Sequence, residues 1–290
     1  MMERDVWTSL KVLGWTKDFL MSKGVENSRL EAEWMLCAAT GLDRVGLYLN
    51  YDKPLSADEL ASYRSMVARR AKREPLQHIL GSQEFCGLDF EVTADVLIPR
   101  HDTEVLVLQA LALMPDARSI LDIGTGSGCI AVSLAAKFPA AAVTATDISD
   151  AALEVARRNV LKHSVTVELL HGSLFEPLAK RTYDLIVSNP PYIPTVDLAG
   201  LEPEVREYDP LGALDGGVDG LDFYRKIIPQ AHLHLNRSGW LLLEAGCGQA
   251  ADLIRICNAT GAYSEPLTFK DPGGIERVVA AQRKDTYETA

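Results

Sequence analysis

Asp184-Leu185-Ile186-Val187-Ser188-Asn189-Pro190-Pro191-Tyr192 is the stretch on which the fold turns. Leu185 to Val187 is an apolar run with the length of a fully buried strand. The strand must end at Asn189. Two consecutive prolines donate no N–H to a ladder, and Pro190 holds the residue before it extended. The product is a stiff strand exit bearing an amide side chain, carbonyls without matching donors, and an aromatic ring. That set suits a planar group carrying an –NH2, either a carboxamide or the exocyclic amine of a base. The side-chain carbonyl of Asn189 can accept one of its N–H bonds, and the backbone carbonyl of Pro190 the other. Tyr192 can pack on the flat face. The nitrogen then faces an electrophile on the opposite side, so catalysis comes from orientation and electrostatics and needs no strong base. The bland alternative is a rigid strand-to-loop turn.

On either side of this stretch, strands and helices alternate. Ser119 to Ile123 reads as a strand, followed by Gly124-Thr125-Gly126-Ser127-Gly128 and a helix from Cys129 to Lys137. Val143 to Ala145 opens a second strand that ends at Asp147, and Ser149 or Asp150 can cap a helix reaching Lys162. Val165 to Leu170, Tyr183 to Ser188 and Trp240 to Glu244 are further strands, and Phe223 to Leu235 and Gln249 to Ala259 further helices. Leu267 to Phe269 and Arg277 to Ala281 close the sheet as a hairpin. The pattern predicts an α/β fold, Rossmann-like, with a mostly parallel sheet and a C-terminal antiparallel hairpin. In such a sheet, ligands lie at the carboxyl ends of the strands near the switch in strand order. The remaining cues fall there. The glycines of 124–128 let the backbone approach a ligand closely. Asp147 can accept from both hydroxyls of a ribose, Ser173 and Leu174 can flank an adenine, and Asn189 ends the fourth strand.

Residues 1–74 read as a small helical domain. Ser28 with Glu31, and Ser56 with Glu59, fit the capping box. Leu30 and Trp34 share one helical face, as do Leu60, Tyr63 and Val67, and Gly24, Gly41 and Gly46 mark helix ends or turns. The basic run Arg69-Arg70-Ala71-Lys72-Arg73 reads first as a solvated helix end, and second as a contact for an acidic partner or RNA. Residues 75–104 read as a connector with a β-hairpin around Gly87, and Asp102 or Thr103 can cap the helix that follows. Arg100 is either a surface charge or a carboxylate partner. Residues 105–290 form the larger domain.

The bulk numbers fit this division. The chain has 290 residues, 24% charged and 47% hydrophobic, enough for two domains. A net charge of -11 argues against broad nucleic-acid binding. No apolar stretch reaches the length of a membrane span, and Met1 to Asp5 lacks the order of a signal peptide, so the expected location is cytoplasmic. Cys37, Cys86, Cys129, Cys247 and Cys257 form no CxxC pair and read as reduced thiols. His232 and His234 can share a strand face, and without a nearby carboxylate or cysteine pattern no metal is expected there.

A Gly-x-Gly-x-Gly run alone also allows a nicotinamide cofactor. The spacing is not Gly-x-Gly-x-x-Gly, and no Lys–Tyr or His–Asp pair for hydride transfer stands out. Gly124 to Gly128, Asp147 and Asn189 to Tyr192 together look like a class I S-adenosylmethionine methyltransferase acting on a planar nitrogen. The chain then resembles, over nearly its whole length, the HemK/PrmC family of peptide chain release factor N5-glutamine methyltransferases. The resemblance rests on PLQHILG (75–81), IPRHDTE (98–104), DIGTGSG (122–128), TDIS (146–149), SNPPYIP (188–194), Asp209-Pro210, ALDGGVDGLDFYR (213–225) and DPGGIERVV (271–279).

The resemblance implies that the substrate is the glutamine of the Gly-Gly-Gln loop in bacterial class 1 release factors. It implies S-adenosylmethionine held by Gly124, Thr125, Gly126, Ser127, Gly128, Asp147, Leu174 and Asn189, with S-adenosylhomocysteine as product. Asn189, Pro190, Pro191 and Tyr192 would hold the substrate, and Asn189, Pro190 and Tyr192 would carry catalysis. The helical domain would help dock the release factor, and a monomer without stable nucleic-acid binding is expected. Leu174 stands where the family often has Trp, and His101 where it commonly has Pro. The rival readings are a DNA or RNA adenine-N6 methyltransferase with the same Asn-Pro-Pro-Tyr geometry, and a silent binding module that keeps only the fold.

Overall fold

The structure, a computed structural model, describes residues 7–285. The reading of Met1 to Asp5 lies outside the described residues. In chain order, helices α1 (Ser9–Ser22), α2 (Ser28–Thr40), α3 (Arg44–Leu49), α4 (Ala57–Arg70) and α5 (Leu76–Leu80) come first, followed by strands β1 (Ser82–Phe85) and β2 (Leu88–Glu91). Then come α6 (Glu104–Leu113), β3 (Ser119–Ile123), α7 (Cys129–Lys137), β4 (Ala142–Asp147), α8 (Asp150–Lys162), β5 (Val167–His171) and β6 (Tyr183–Ser188). The chain ends with α9 (Pro203–Tyr208), α10 (Asp222–Ala231), β7 (Leu235–Glu244), α11 (Ala250–Thr260), β8 (Leu267–Lys270) and β9 (Glu276–Gln282). It divides into two compact units. One runs up to Gly81 and includes Glu202–Tyr208; the other is Ser82–Leu201 with the chain from Asp209 onward.

The helical unit closes on Val12, Leu20, Met35, Leu36, Leu47, Tyr63 and Val67. The capping box of Ser56 and Glu59 is present, each satisfying the other's free N–H. That of Ser28 and Glu31 is not. Ser28 is the first helical residue after Asn27, which makes no side-chain cap bond, and Glu31 is drawn instead to Arg70. Gly41 ends α2 in the left-handed conformation, at φ 71°. Gly46 marks no end; it lies inside α3, where its N–H donates to the Asp43 cap at 2.7 Å. The basic run is not a solvated helix end. Arg70 is buried and pairs with Glu31 and Glu204, Arg73 with Glu202 and Glu204, and Arg69 with Glu74. Its acidic partners therefore lie within the chain, and Glu202 and Glu204 belong to a segment far away in sequence.

The second unit is built on a seven-stranded sheet, in the order β5-β4-β3-β6-β7-β9-β8. β5, β4, β3, β6 and β7 pair in parallel, and β9 pairs antiparallel with both β7 and β8. Buried Ile120, Leu185, Val187 and Leu242 face one apolar cluster and Leu121, Ile186 and Leu243 the other. Covering a sheet on both faces is what makes its central strands read as continuous apolar runs. β1 and β2 form the separate hairpin, turned by Cys86 (φ 51°) and Gly87 (φ 77°).

Several boundaries differ from the sequence reading. β5 starts at Val167, where its pairing with β4 begins, and β7 at Leu235, because β7 first pairs at Tyr183 and passes an irregularity before Leu185. α10 therefore stops at Ala231. His232 and His234 sit in its turn into β7 and share no strand face, with His234 stacking on Phe175 and His232 meeting Tyr263 edge-on. Neither Asp102 nor Thr103 caps α6, which is entered from a short 3-10 turn without a side-chain cap bond.

Asn159 of α8 ties this unit together. Fully buried, it donates to the carbonyls of Glu91 (3.0 Å) and Ser127 (2.8 Å) and accepts from the N–H of Glu91 (2.8 Å). Asn159→Ala leaves these backbone groups unsatisfied, an expected loss of about 1–3 kcal/mol. Denaturant unfolding at neutral pH measures it, and a midpoint equal to the parent's would contradict the account.

Candidate functional site

Three parallel strands set the site. Ile123, Ser188 and Leu243 are in register on β3, β6 and β7, so the residues after them, Gly124, Asn189 and Glu244, line up along one edge, the first two leaving the sheet and Glu244 ending β7 opposite Val278. Neighbouring strands lie about 4.8 Å apart. The glycine loop and Asn189 are therefore one strand spacing from each other. The buried Ser188 hydroxyl donates to the carbonyl of Ile123 at 2.7 Å and fixes the two exits together.

Gly124, Gly126 and Gly128 have φ of 71°, 56° and 81°, the left-handed region that glycine enters without strain. A Cβ on Gly128 would meet the Cβ of Ala156 at 3.1 Å, so this glycine lets α8 come close. At Gly124 and Gly126 a Cβ would meet nothing within 4 Å, which leaves open space over the loop. The N–H groups of Gly124 and Thr125 donate to Thr146 (2.8 and 3.0 Å). Those of Gly126 and Ser149 donate one to each carboxylate oxygen of Asp147, at 2.8 and 2.9 Å. A carboxylate offers about four lone-pair sites, so an Asp147 aimed by two donors keeps acceptor capacity for two more. Beneath the loop, Asp122 is fully buried and accepts from Thr125 at 2.7 Å. Burial pushes its carboxyl up to about 7. Leu174, past the end of β5, has φ 50°; its carbonyl accepts from Thr146 (3.3 Å) and its side chain packs beside the cluster of Ile123 and Phe175. Open space above two glycines, an aimed carboxylate and a flanking apolar side chain fit an adenosyl ligand with a small charged tail.

On the other side of the row, Asn189 donates from Nδ2 to the Thr103 hydroxyl at 3.2 Å. Pro190 is buried and Pro191 half-buried. Tyr192 is held at several points. Its carbonyl accepts from Gln249 at 2.9 Å, and its hydroxyl donates to Glu244 at 3.4 Å. A Cβ on Gly216 would stand 2.8 Å from the Tyr192 Cα, and one on Gly220 2.2 Å from its carbonyl oxygen. Only glycines let the 215–220 loop press this close. Ile193 bridges to Asp215, which fastens the chain beyond the prolines.

Glu244 is buried, and burial raises its carboxyl to about 7 against the pull of Thr103, Arg277 and Tyr192. Arg277 pairs with Asp271 (3.1 Å) and Asp102 (3.3 Å). Arg100 is a carboxylate partner, at 2.7 Å from Asp209, whose carboxyl burial lifts to about 6. His101 is exposed and reaches Glu104 at 3.2 Å. The five cysteines are free thiols, and among the described residues no group of His, Cys, Asp or Glu is placed to hold a metal ion.

The structure thus brings Gly124–Gly128, Asp147, Leu174 and Asn189–Tyr192 to one edge. Sequence reasoning gave Thr103 only a capping role and gave no site role to Asn159, Glu244, Gln249 or Arg277. Glu244 carried a signal: an acid that directly ends an apolar strand, Trp240-Leu241-Leu242-Leu243, is costly unless it serves the strand's carboxyl end.

This is the fold of the class I S-adenosylmethionine-dependent methyltransferases. A methyltransferase from Pyrococcus furiosus superposes with a TM-score of 0.51 at 22% identity, over 75% of this chain and 98% of that one. The hMettl16 catalytic domain, solved with a MAT2A 3'UTR hairpin, gives 0.56 at 20% identity, over 78% of this chain and 84% of that one. Residues 11–81 match the PrmC N-terminal domain and 101–199 the methyltransferase small domain. The chain is 59% identical over 278 residues to the release factor glutamine methyltransferase of Geobacter sulfurreducens, covering 96% of this chain and 98% of that protein. It is 43% identical to the one of Moorella thermoacetica, covering 96% and 99%. The chain belongs to the release factor glutamine methyltransferase family.

The raised carboxyl of Glu244 has a measurable consequence. The native state holds this proton more tightly than the unfolded chain, so between pH 5 and 8 the native state carries more protons and stability falls as pH rises. Asp122 acts in the same direction. Denaturant unfolding of Glu244→Gln at pH 5 and pH 8 is expected to show a smaller loss than the parent. An unchanged difference would show that Glu244 is not the titrating group.

Proposed function

We propose that this chain transfers a methyl group from S-adenosylmethionine to the side-chain nitrogen of the glutamine in the Gly-Gly-Gln loop of bacterial class 1 release factors, leaving S-adenosylhomocysteine. The observation that carries the reading is Asn189. Its Nδ2 is engaged by Thr103, which leaves Oδ1 as an acceptor beside the Pro190 carbonyl, one strand from the glycine loop.

Gly124, Thr125, Gly126, Ser127 and Gly128 would hold the methionine part of the cofactor, Asp147 its ribose hydroxyls and Leu174 its adenine. When bound, S-adenosylmethionine supplies a methyl made electrophilic by its sulfonium. The chain's own task lies with the acceptor. A glutamine amide is a weak nucleophile, because its lone pair is delocalised into the carbonyl. Asn189 Oδ1 and the Pro190 carbonyl accept its two N–H bonds and fix the direction of the nitrogen. They also stabilise positive charge as it grows there. The nitrogen gains a methyl and gives up a proton, which passes to water. Tyr192, clamped by Gln249 and Glu244, forms a rigid wall, and Pro191 stiffens the loop. The helical unit, with exposed Trp15 and Trp34, would help dock the release factor.

Labelled S-adenosylmethionine tests the reading. Label is expected in a purified release factor and absent from one whose Gly-Gly-Gln glutamine is replaced. Transfer to DNA or RNA instead would move the same Asn189 geometry to an adenine substrate. Asn189→Ala is expected to lower kcat roughly 10²-fold, the scale of losing one preorganised polar contact. Turnover near the parent's in a folded variant would remove Asn189 from this role.

A further inference from the structure

The Asn189 amide raises a problem of direction. Its Oδ1 and Nδ2 ends have nearly the same shape but opposite hydrogen-bonding character. Flipped by half a turn, the side chain would present donors to the –NH2 it must receive. Packing alone does not distinguish the two states, so a polar neighbour must.

We infer that Thr103 is a positioning residue for methyl transfer: its hydroxyl accepts from Asn189 Nδ2 and donates towards Glu244, so that Asn189 presents Oδ1 to the substrate amide. This rests on the role of Asn189 proposed above.

Thr103 occupies the position before α6, where a Thr hydroxyl ordinarily caps the helix. Here its backbone is helical (φ -67°, ψ -20°) and it makes no cap bond. The side chain is buried, at 2% exposure, and its hydroxyl meets Asn189, 86 residues away. A hydroxyl can donate one hydrogen bond and also accept. Taken alone, that would let it serve either end of the amide. Glu244 removes the choice. Its Oε1 accepts from Tyr192, while its Oε2 is buried without a hydrogen-bond partner, and Thr103 is the neutral donor beside it. The charged groups that face Glu244 are Arg277 and Asp102. Ionised Glu244 is acceptor-only, and a buried acceptor without a partner is costly, so the Thr103 O–H turns towards it. The hydroxyl is then left only able to accept, and Nδ2 is the donor that supplies it. The register that puts Asn189 and Glu244 at one sheet edge also brings Glu244 to the amide's neighbour.

The test compares Thr103→Ser with Thr103→Ala at pH 8, where Glu244 is ionised. Both lose the γ-methyl and differ only in the hydroxyl, so a packing defect affects them alike. With wild-type methyl transfer to a release factor measured alongside, T103A is expected to turn over roughly 10- to 100-fold more slowly than T103S, as for a misplaced reacting group. The KM for S-adenosylmethionine is expected to be equal in the two variants. Equal kcat in both would overturn the inference and leave the proposed function standing. No transfer by the wild-type protein would defeat the function itself. Should T103A fail to fold, the side-chain amide protons of Asn189 in 15N-labelled wild-type protein decide the point, assigned by their loss in Asn189→Ala. One proton protected from solvent exchange supports the Thr103 bond, and free exchange of both overturns it.

Discussion

The hydrogen-bonded register of β3, β6 and β7 is the constraint on which this molecule depends. With Ile123, Ser188 and Leu243 in line, Gly124, Asn189 and Glu244 have one place to go. A slip of one residue on any strand would turn every side chain to the opposite face and bury the wrong set. The apolar clusters on both faces oppose such a slip, because Leu185 and Val187 face one and Ile186 the other. The chemistry at the edge therefore takes its geometry from burial in the middle of the sheet.

The same edge carries an electrostatic cost. Asp122, Asp209 and Glu244 are buried carboxyl groups, each raised above the usual range by loss of solvent. Buried acids of this kind persist where they organise neighbours. Asp122 fixes Thr125 in the glycine loop, Asp209 holds Arg100, and Glu244 meets Tyr192. In each contact the partner, Thr125, Arg100 or Tyr192, lies in a loop without regular secondary structure of its own. Rigidity in these loops comes from buried polar partners and from glycines pressed against Tyr192.

Much of this was legible in the sequence. Alternating apolar runs and capped helices have local signatures, and so do glycines at a strand end and a double proline. Ser149 caps α8 and the hairpin turns at Gly87, as local chemistry requires. Apart from Glu244, what escaped has no local signature. Arg70 and Arg73 looked like a solvated helix end because Glu204 lies more than a hundred residues away. Glu31 left its expected capping box for Arg70, which is equally remote from any local pattern. Thr103 had the residue type of a helix cap, and a long-range contact took its hydroxyl instead. Asn159 sits on the buried face of α8, where composition alone does not distinguish a core filler from a tie between three backbone groups.

A structure of the chain with S-adenosylhomocysteine and a Gly-Gly-Gln peptide tests the central claim most directly. The glutamine nitrogen is expected about 2.7–3.2 Å from both Asn189 Oδ1 and the Pro190 carbonyl, the ordinary range for N–H donors. A glutamine bound elsewhere, or one that meets Asn189 through its carbonyl while Nδ2 faces outward, would contradict it.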